Sequence, residues 1–179
     1  TVFDITKDGI NNISQQFPDI QSTNARWTTE DGFNKYYFGD GQMATGWHLI
    51  DGNKYFFNGK GYLQQNKWLK DFDSDWNPRF LFVDKDGKLK MSEWLQMDNH
   101  WYYVDARGYR MQSELAIING KTYYFDDNGI MQTGSRVVNG VNLYFDSTGA
   151  LSIEGKALTW NKIGNKWYYL DENKNMTIG

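Results

Sequence analysis

The stretch NGKTYYFDDNGIMQTG, residues 119–134, packs an Asn-Gly pair, three consecutive aromatics and a turn-rich Asp-Asp-Asn-Gly into one short phrase. NKYYFGDGQMATG (34–46) and NKYFFNGKGYLQQN (53–66) repeat the phrase. Asn-Gly or Asp-Gly between aromatic runs is a strong hairpin signal, because a type I′ turn needs positive φ at both central residues. Anchoring on the triads gives seven copies: Tyr36-Tyr37-Phe38, Tyr55-Phe56-Phe57, Leu81-Phe82-Val83, Tyr102-Tyr103-Val104, Tyr123-Tyr124-Phe125, Leu143-Tyr144-Phe145 and Tyr168-Tyr169-Leu170. Their middle residues are spaced by 19, 26, 21, 21, 20 and 25, a base period of about 20 residues with two insertions.

Other anchors keep the same step. Trp27, Trp47, Trp68, Trp94, Leu115 and Trp160 open a short strand before the triads, with Ser135 the exception. Asp51-Gly52, Asn119-Gly120, Asn139-Gly140 and Gly164-Asn165 lie between the two anchors. A second turn ends in Gly41, Gly61, Gly87, Gly108, Gly129 and Gly149, whereas Lys174 breaks the rule in the last copy. Each repeat therefore reads as strand, tight turn, aromatic strand, Gly turn. A lone hairpin is marginal in water, and stacking lets each bury its rings on the next. The predicted fold is all-β, a repeat β-solenoid of stacked hairpins, or a chain of more loosely related hairpins. The insertions are KDFDSDWNPR (70–79), which carries Trp76 and Pro78, and SIEGKALT (152–159). The repeat domain is expected over 27–179. Residues 1–26 lack a triad and are expected to be a degenerate repeat, a cap or a linker, with a short, weak helical pattern over 10–17.

Composition agrees with a core built from rings. Of 179 residues, 8 are Trp, 12 Tyr and 11 Phe, while mean hydropathy is −0.72. The formal charge of −3 comes from interspersed signs, so no basic stripe argues for nucleic acid. Cysteine is absent, which excludes disulfides and thiol chemistry. No apolar run is long enough to insert in a membrane. The chain opens at Thr1 with no visible signal peptide, which suggests a fragment or a processed form.

The phrases TGWHLIDGNKYFFNGKG, WLQMDNHWYYVDARG, INGKTYYFDDNGIMQTG and WNKIGNKWYYLDENKNM resemble the cell-wall-binding repeats of Gram-positive surface proteins, from Trp27 to the end of the chain. That superfamily includes choline-binding modules, clostridial toxin repeats and the glucan-binding repeats of glucansucrases. The resemblance implies hairpins with ligand pockets between consecutive copies. It also implies an extracellular protein, secreted or cell-wall associated, whose module is covalently linked to a separate catalytic domain. The resemblance is closest to the glucansucrase repeats. Ser135, Leu143 and Lys174 depart from the pattern.

Alternation in a strand places two members of each triad on the interior face. The central Tyr37, Tyr103 and Tyr124 are expected to be less exposed than Trp47 or Trp101. The remaining rings suit a sugar, whose apolar C–H face lies on Trp or Tyr while its hydroxyls need donors and acceptors. Trp47, Tyr55 and Gln64 form one candidate set, and Lys121, Tyr123 and Gln132 another; the two glutamines stand at the same offset after Gly61 and Gly129. Trp68 is a further candidate ring. A quaternary ammonium instead wants a cage of rings. Trp94, Trp101 and Tyr102, and Trp160, Trp167 and Tyr168, could supply one. Elsewhere Lys35, Lys54, Thr122 and Asn142 take the slot of Trp101 and Trp167, so consecutive cages are hard to assemble. An α-glucan such as dextran, or isomalto-oligosaccharide, is therefore the preferred ligand and choline the alternative. No catalytic residue, metal or cofactor is assigned. His48 and His100 sit within hairpins away from any metal-ligand spacing, and the acidic residues fall mostly in turns. Asp84-Lys85-Asp86-Gly87 is better explained by the repeated turn than by a calcium loop.

Overall fold

The computed structural model describes residues 24–138, 140–152, 159–163, 166–170 and 176–178. The weak helical pattern at 10–17, most of the 1–26 segment, Asn139, the Gly164-Asn165 turn, Lys174 and most of the 152–159 insertion lie outside the described residues. The chain divides into two compact units, Thr1–Lys90 and Met91–Gly179.

Among the described residues the first unit carries three antiparallel hairpins. They are β1 (Arg26–Glu30) with β2 (Phe33–Tyr37), β3 (Gly46–Ile50) with β4 (Asn53–Phe57), and β5 (Lys67–Phe72) with β6 (Pro78–Val83). The second unit carries β7 (Glu93–Met97) with β8 (His100–Val104), and β9 (Glu114–Ile118) with β10 (Lys121–Phe125). Two three-stranded sheets follow. One is β11 (Gly134–Val138), β12 (Val141–Phe145) and β13 (Leu151–Ser152); the other is β14 (Thr159–Ile163), β15 (Lys166–Leu170) and β16 (Met176–Ile178). The class is all-β, a hairpin-repeat solenoid, as the spacing of the turns predicts.

One register runs through the hairpins. Trp47 pairs with Phe56, Trp68 with Phe82, Trp94 with Tyr103, Leu115 with Tyr124, Ser135 with Tyr144 and Trp160 with Tyr169. The first hairpin corrects the sequence reading by one residue. Trp27 pairs with Tyr36, not Tyr37, because the Asp31-Gly32 turn, with φ of 53° and 79°, fixes the register. Tyr37 thereby takes the place of Phe57 and Phe125, and the first step becomes 20 residues rather than 19.

The phase of the alternation is also corrected. The third triad residue is the deepest: Phe57, Val83, Val104, Phe125 and Phe145 are fully buried. The first follows at Tyr55 and Leu81. Central rings lie on the other face, where Tyr103 and Tyr124 are half-buried and Tyr144 is 55% exposed. Tyr103 and Tyr124 are still more covered than Trp101, but they share the half-buried class of Trp47. Within each unit the central face of one hairpin packs on the first-and-third face of the next. The rings of Trp27 and Tyr55, Trp94 and Tyr123, and Tyr124 and Phe145 meet this way.

Backbone bonds lock the stacking. The N–H of Leu63 donates to the Asn34 carbonyl at 2.8 Å, Leu89 to Lys54 at 2.9 Å, and Met131 to Trp101 at 2.8 Å. Each donor sits six residues after a third triad position, where it also bridges back to its own strand. The intervening turn is held by one carboxylate or amide oxygen. Asp84 Oδ1 accepts from the N–H groups of Asp86 and Lys88, and Asp126 Oδ1 from those of Asn128 and Ile130. The Asp84 loop is thus an Asx turn of the repeat. Its glycine is required twice over. At Gly129 φ is 75° and a Cβ would lie 2.4 Å from the Arg110 side chain of the preceding repeat; Gly61 meets Met43 in the same way.

Candidate functional site

Among the described residues stacking builds two matching aromatic boxes. In the first unit Trp27 lies against Tyr36 of its own hairpin at 5.2 Å, then Tyr55 and Phe57 of the next at 5.0 and 5.8 Å. In the second unit Trp94 lies against Tyr103 at 5.2 Å, then Tyr123 and Phe125 at 4.8 and 5.8 Å. Edge-to-face contacts dominate both, the arrangement that the ring quadrupole favours. A Trp in the strand-opening position and Tyr then Phe at the first and third positions of the following triad make the box.

The rims differ. Around Trp27 opens a cleft of about 480 Å³, lined by Thr28, Thr29, Asn34, Tyr55, Leu63, Gln65 and Asp86. Its polar groups form a chain: Thr29 Oγ1 donates to Asn34 Oδ1 at 2.9 Å, Asn34 Nδ2 to Gln65 Oε1 at 3.4 Å, and Gln65 Nε2 to the Lys85 carbonyl at 2.7 Å. These bonds aim donors and acceptors along one edge of an apolar wall, which is what orients a polyhydroxylated ligand. Trp27 remains 40% exposed. In the second box the register slot of Asn34 belongs to Trp101, paired with Gln96 as Asn34 is with Thr29. Trp101 stands edge-on to Trp94 at 6.3 Å, so the rim there is a further ring.

The Tyr hydroxyls hold their protons tightly. Burial raises the Tyr55 pKa, with smaller contributions from Asp51, Asp84 and Asp86, and burial followed by Asp146 raises that of Tyr123. Both boxes therefore present neutral phenols at ordinary pH.

The sequence-based sets are divided by the alternation. Trp47 and Tyr55 face opposite sides of one hairpin. Trp47 meets Phe56 at 5.1 Å, while Tyr55 is buried against Trp27. Gln64 is engaged in its own turn, donating to the Tyr62 carbonyl and accepting from Lys67 Nζ. Gln132 likewise donates to Asp126 Oδ2 and the Ile130 carbonyl and accepts from Arg136 Nε. Tyr123 joins Trp94 rather than Gln132, and Lys121 is exposed on the same strand. Trp94 and Trp101 do meet, but Tyr102 points to the other face, paired with Leu95. Trp68 packs edge-on to Phe82 at 5.2 Å and is half-buried. Trp160 and Trp167 are 51% and 52% exposed, with Trp160 against Tyr169, and the side chain of Tyr168 lies outside the described residues.

Trp27, Thr29, Asn34 and Gln65 were not selected from the sequence. Their signal lies in the repeat itself, since Trp27 stands in the frame of Trp94.

An all-β stack of hairpins with ring-lined boxes between consecutive copies is a repeat-type binding module. Residues 112–155 match the choline-binding repeat, and residues 45–63, 92–109 and 159–173 match the cell wall binding repeat. The chain belongs to this superfamily of cell-wall-binding and choline-binding repeats. Glucosyltransferase-S of Streptococcus downei is 33% identical over 139 residues, 76% of this chain and 10% of that protein. Glucosyltransferase-I of the same organism is 32% identical over 149 residues, 81% of this chain and 9% of that protein. The chain thus spans about a tenth of the length of these relatives. Among solved structures, choline binding protein F of Streptococcus pneumoniae superposes with a TM-score of 0.56 at 28% identity, over 80% of this chain and 48% of that one.

Proposed function

We propose that this chain is a non-catalytic carbohydrate-binding module that holds α-glucan of the dextran type in ring-lined clefts between consecutive hairpins. The observation that carries the reading is the Trp27 cleft. It sets an exposed indole beside the Thr29–Asn34–Gln65 chain, giving a stacking face for the apolar side of a glucose ring and amide groups for its hydroxyls. The streptococcal glucosyltransferases among its relatives support a setting in which this repeat domain, residues 27–179, is joined to a glucan-forming catalytic domain in a secreted or cell-wall-associated Gram-positive protein.

A single shallow site of this kind is worth about −4 to −6 kcal/mol, a Kd from millimolar to tens of micromolar. Several on one chain raise the retention of a long polymer by about 10² through effective concentration. Short isomalto-oligosaccharides should therefore bind weakly and long dextran much more tightly.

Choline is the second reading, and a specific observation favours it at one place. Trp94, Trp101 and Tyr123 gather three rings where the first box has a polar rim, a composition suited to a quaternary ammonium. Affinity electrophoresis in gels with and without dextran, repeated with free choline, tests both. Retardation by dextran that choline does not relieve is the expected result. Retardation only on a choline-substituted matrix would replace glucan by choline.

A further inference from the structure

The insertion at 70–79 extends β5 and β6 by one residue pair and ends in the five-residue turn Asp73-Ser74-Asp75-Trp76-Asn77. This turn copies the one that follows each triad, as in Asp84-Lys85-Asp86-Gly87-Lys88. Asp73 Oδ1 accepts from the N–H groups of Asp75 and Asn77, just as Asp84 Oδ1 accepts from Asp86 and Lys88. The fourth position, held by glycine in the parallel turns, is here Trp76, with φ of 61°. A bulky residue in that left-handed region is rare, and the indole is 82% exposed, so burial does not compensate for the placement. At Gly61, Gly87, Gly129 and Gly149 a side chain of the preceding repeat lies over the glycine; this turn projects at a hairpin tip and leaves the ring open.

The turn beneath the ring is braced. Asp73 is ion-paired to Arg79 at 2.7 Å, which fixes the base of the turn. Phe72, 45% exposed, lies 6.1 Å from Trp76 and carries the Lys70 ammonium 5.2 Å above its own ring. The exposed Asp75 and Asn77 flank Trp76 in sequence, and Asn77 Nδ2 donates to Asp73 Oδ2 at 3.4 Å.

We propose that the β5–β6 tip is a carbohydrate platform separate from the clefts between hairpins, on which Trp76 stacks against a glucose ring of the polymer held by those clefts. The proposal rests on the α-glucan reading above. Two rings on one hairpin tip are far smaller than the roughly 800 Å² per partner that a stable protein interface buries. The three aspartates of 70–79 outnumber Lys70 and Arg79, which disfavours an anionic lipid surface. A neutral ligand with a flat apolar face and a hydroxylated edge meets neither objection, and a long glucan reaches the tip while still seated in a cleft.

Trp76→Gly separates this role from folding, because it restores the residue that the parallel turns carry. In the full chain its thermal midpoint should equal or exceed that of the parent, while dextran retardation should fall about three- to tenfold, the loss of one site among several. In indole ¹⁵N–¹H spectra, the resonance missing from the variant should shift when isomaltotriose is added to the parent. Equal retardation of parent and variant, with a silent Trp76 resonance, overturns the platform and leaves the cleft reading intact. A parent that dextran does not retard removes the α-glucan reading and the platform with it. Phosphatidylglycerol vesicles that bind the parent but not the variant, with dextran retention unchanged, would assign the tip to a lipid surface instead.

Discussion

The Trp27 and Trp94 boxes are built on one scaffold and finished differently. Their ring distances agree to within about 0.2 Å at every shared contact. Around the first, Asn34 and Gln65 make a hydrogen-bonded edge; around the second, Trp101 adds a ring in the slot of Asn34. Tyr55 does two jobs, as a core residue and as a wall of the Trp27 cleft, while Phe57 beside it is wholly core. The two boxes therefore share their packing and differ at the rim, which is where the proposed ligand preference would reside. A change to the scaffold should cost stability in either box, whereas a change to the rim should alter binding in one box alone.

The largest effects should come from the scaffold. Phe57→Ala or Phe125→Ala removes a fully buried ring and should destabilise the chain by about 3–5 kcal/mol in denaturant unfolding. Tyr144→Ala, at a central position 55% exposed, should cost no more than about 1 kcal/mol. Similar losses at both places would break the assignment of the third position as the core.

The rim comes next. Asn34→Ala with Gln65→Ala should weaken isomaltotriose binding at the Trp27 cleft by about 1–2 kcal/mol, two hydrogen bonds' worth, and leave the melting midpoint nearly unchanged. Isothermal titration calorimetry would read the loss. Trp101→Ala should leave that cleft untouched and change binding only at the Trp94 box. Should the double variant bind isomaltotriose as the parent does, the polar rim has no role.

A smaller gain should follow from making the first rim resemble the second. Asn34→Trp places a ring where Trp101 stands and should improve binding of a quaternary ammonium there by about 0.5–1 kcal/mol. Choline titration of this variant in a Trp101→Ala background isolates the new contact; no gain over that background would show that the rim ring does not set preference.

The smallest response should be to pH. The Tyr55 and Tyr123 phenols ionise less readily folded than unfolded, so their stabilising effect is complete below the ordinary tyrosine value of about 10 and is lost as pH rises through the higher folded values. Between pH 6 and 9 stability should be flat as far as these groups are concerned, with loss setting in only in stronger alkali. Tyr55→Phe should blunt that loss in alkaline melts. An unchanged alkaline profile would place the sensitive phenols elsewhere.

The sequence by itself determined the hairpins among the described residues and, the first triad aside, which residues pair across them. These are local matters: Asn-Gly and Asp-Gly fix positive φ at two residues, and alternation fixes which side chains share a face. Even the first-triad slip had a local remedy, since Gly41 stands four residues after Tyr37 just as Gly61 stands four after Phe57. Tertiary structure decided which face is the core and which residues share a cleft. Alternation alone is symmetric, because both faces of these strands are aromatic. The choice between them is made when Leu63 donates to the Asn34 carbonyl and Met131 to that of Trp101, which sets one hairpin's central face on the next one's first-and-third face. Trp27 then meets Tyr55, and Trp94 meets Tyr123, across a full repeat. Trp47 and Tyr55, close in sequence, are turned apart for the same reason: a strand offers its neighbours to opposite sides, and only the stacking decides what each side touches.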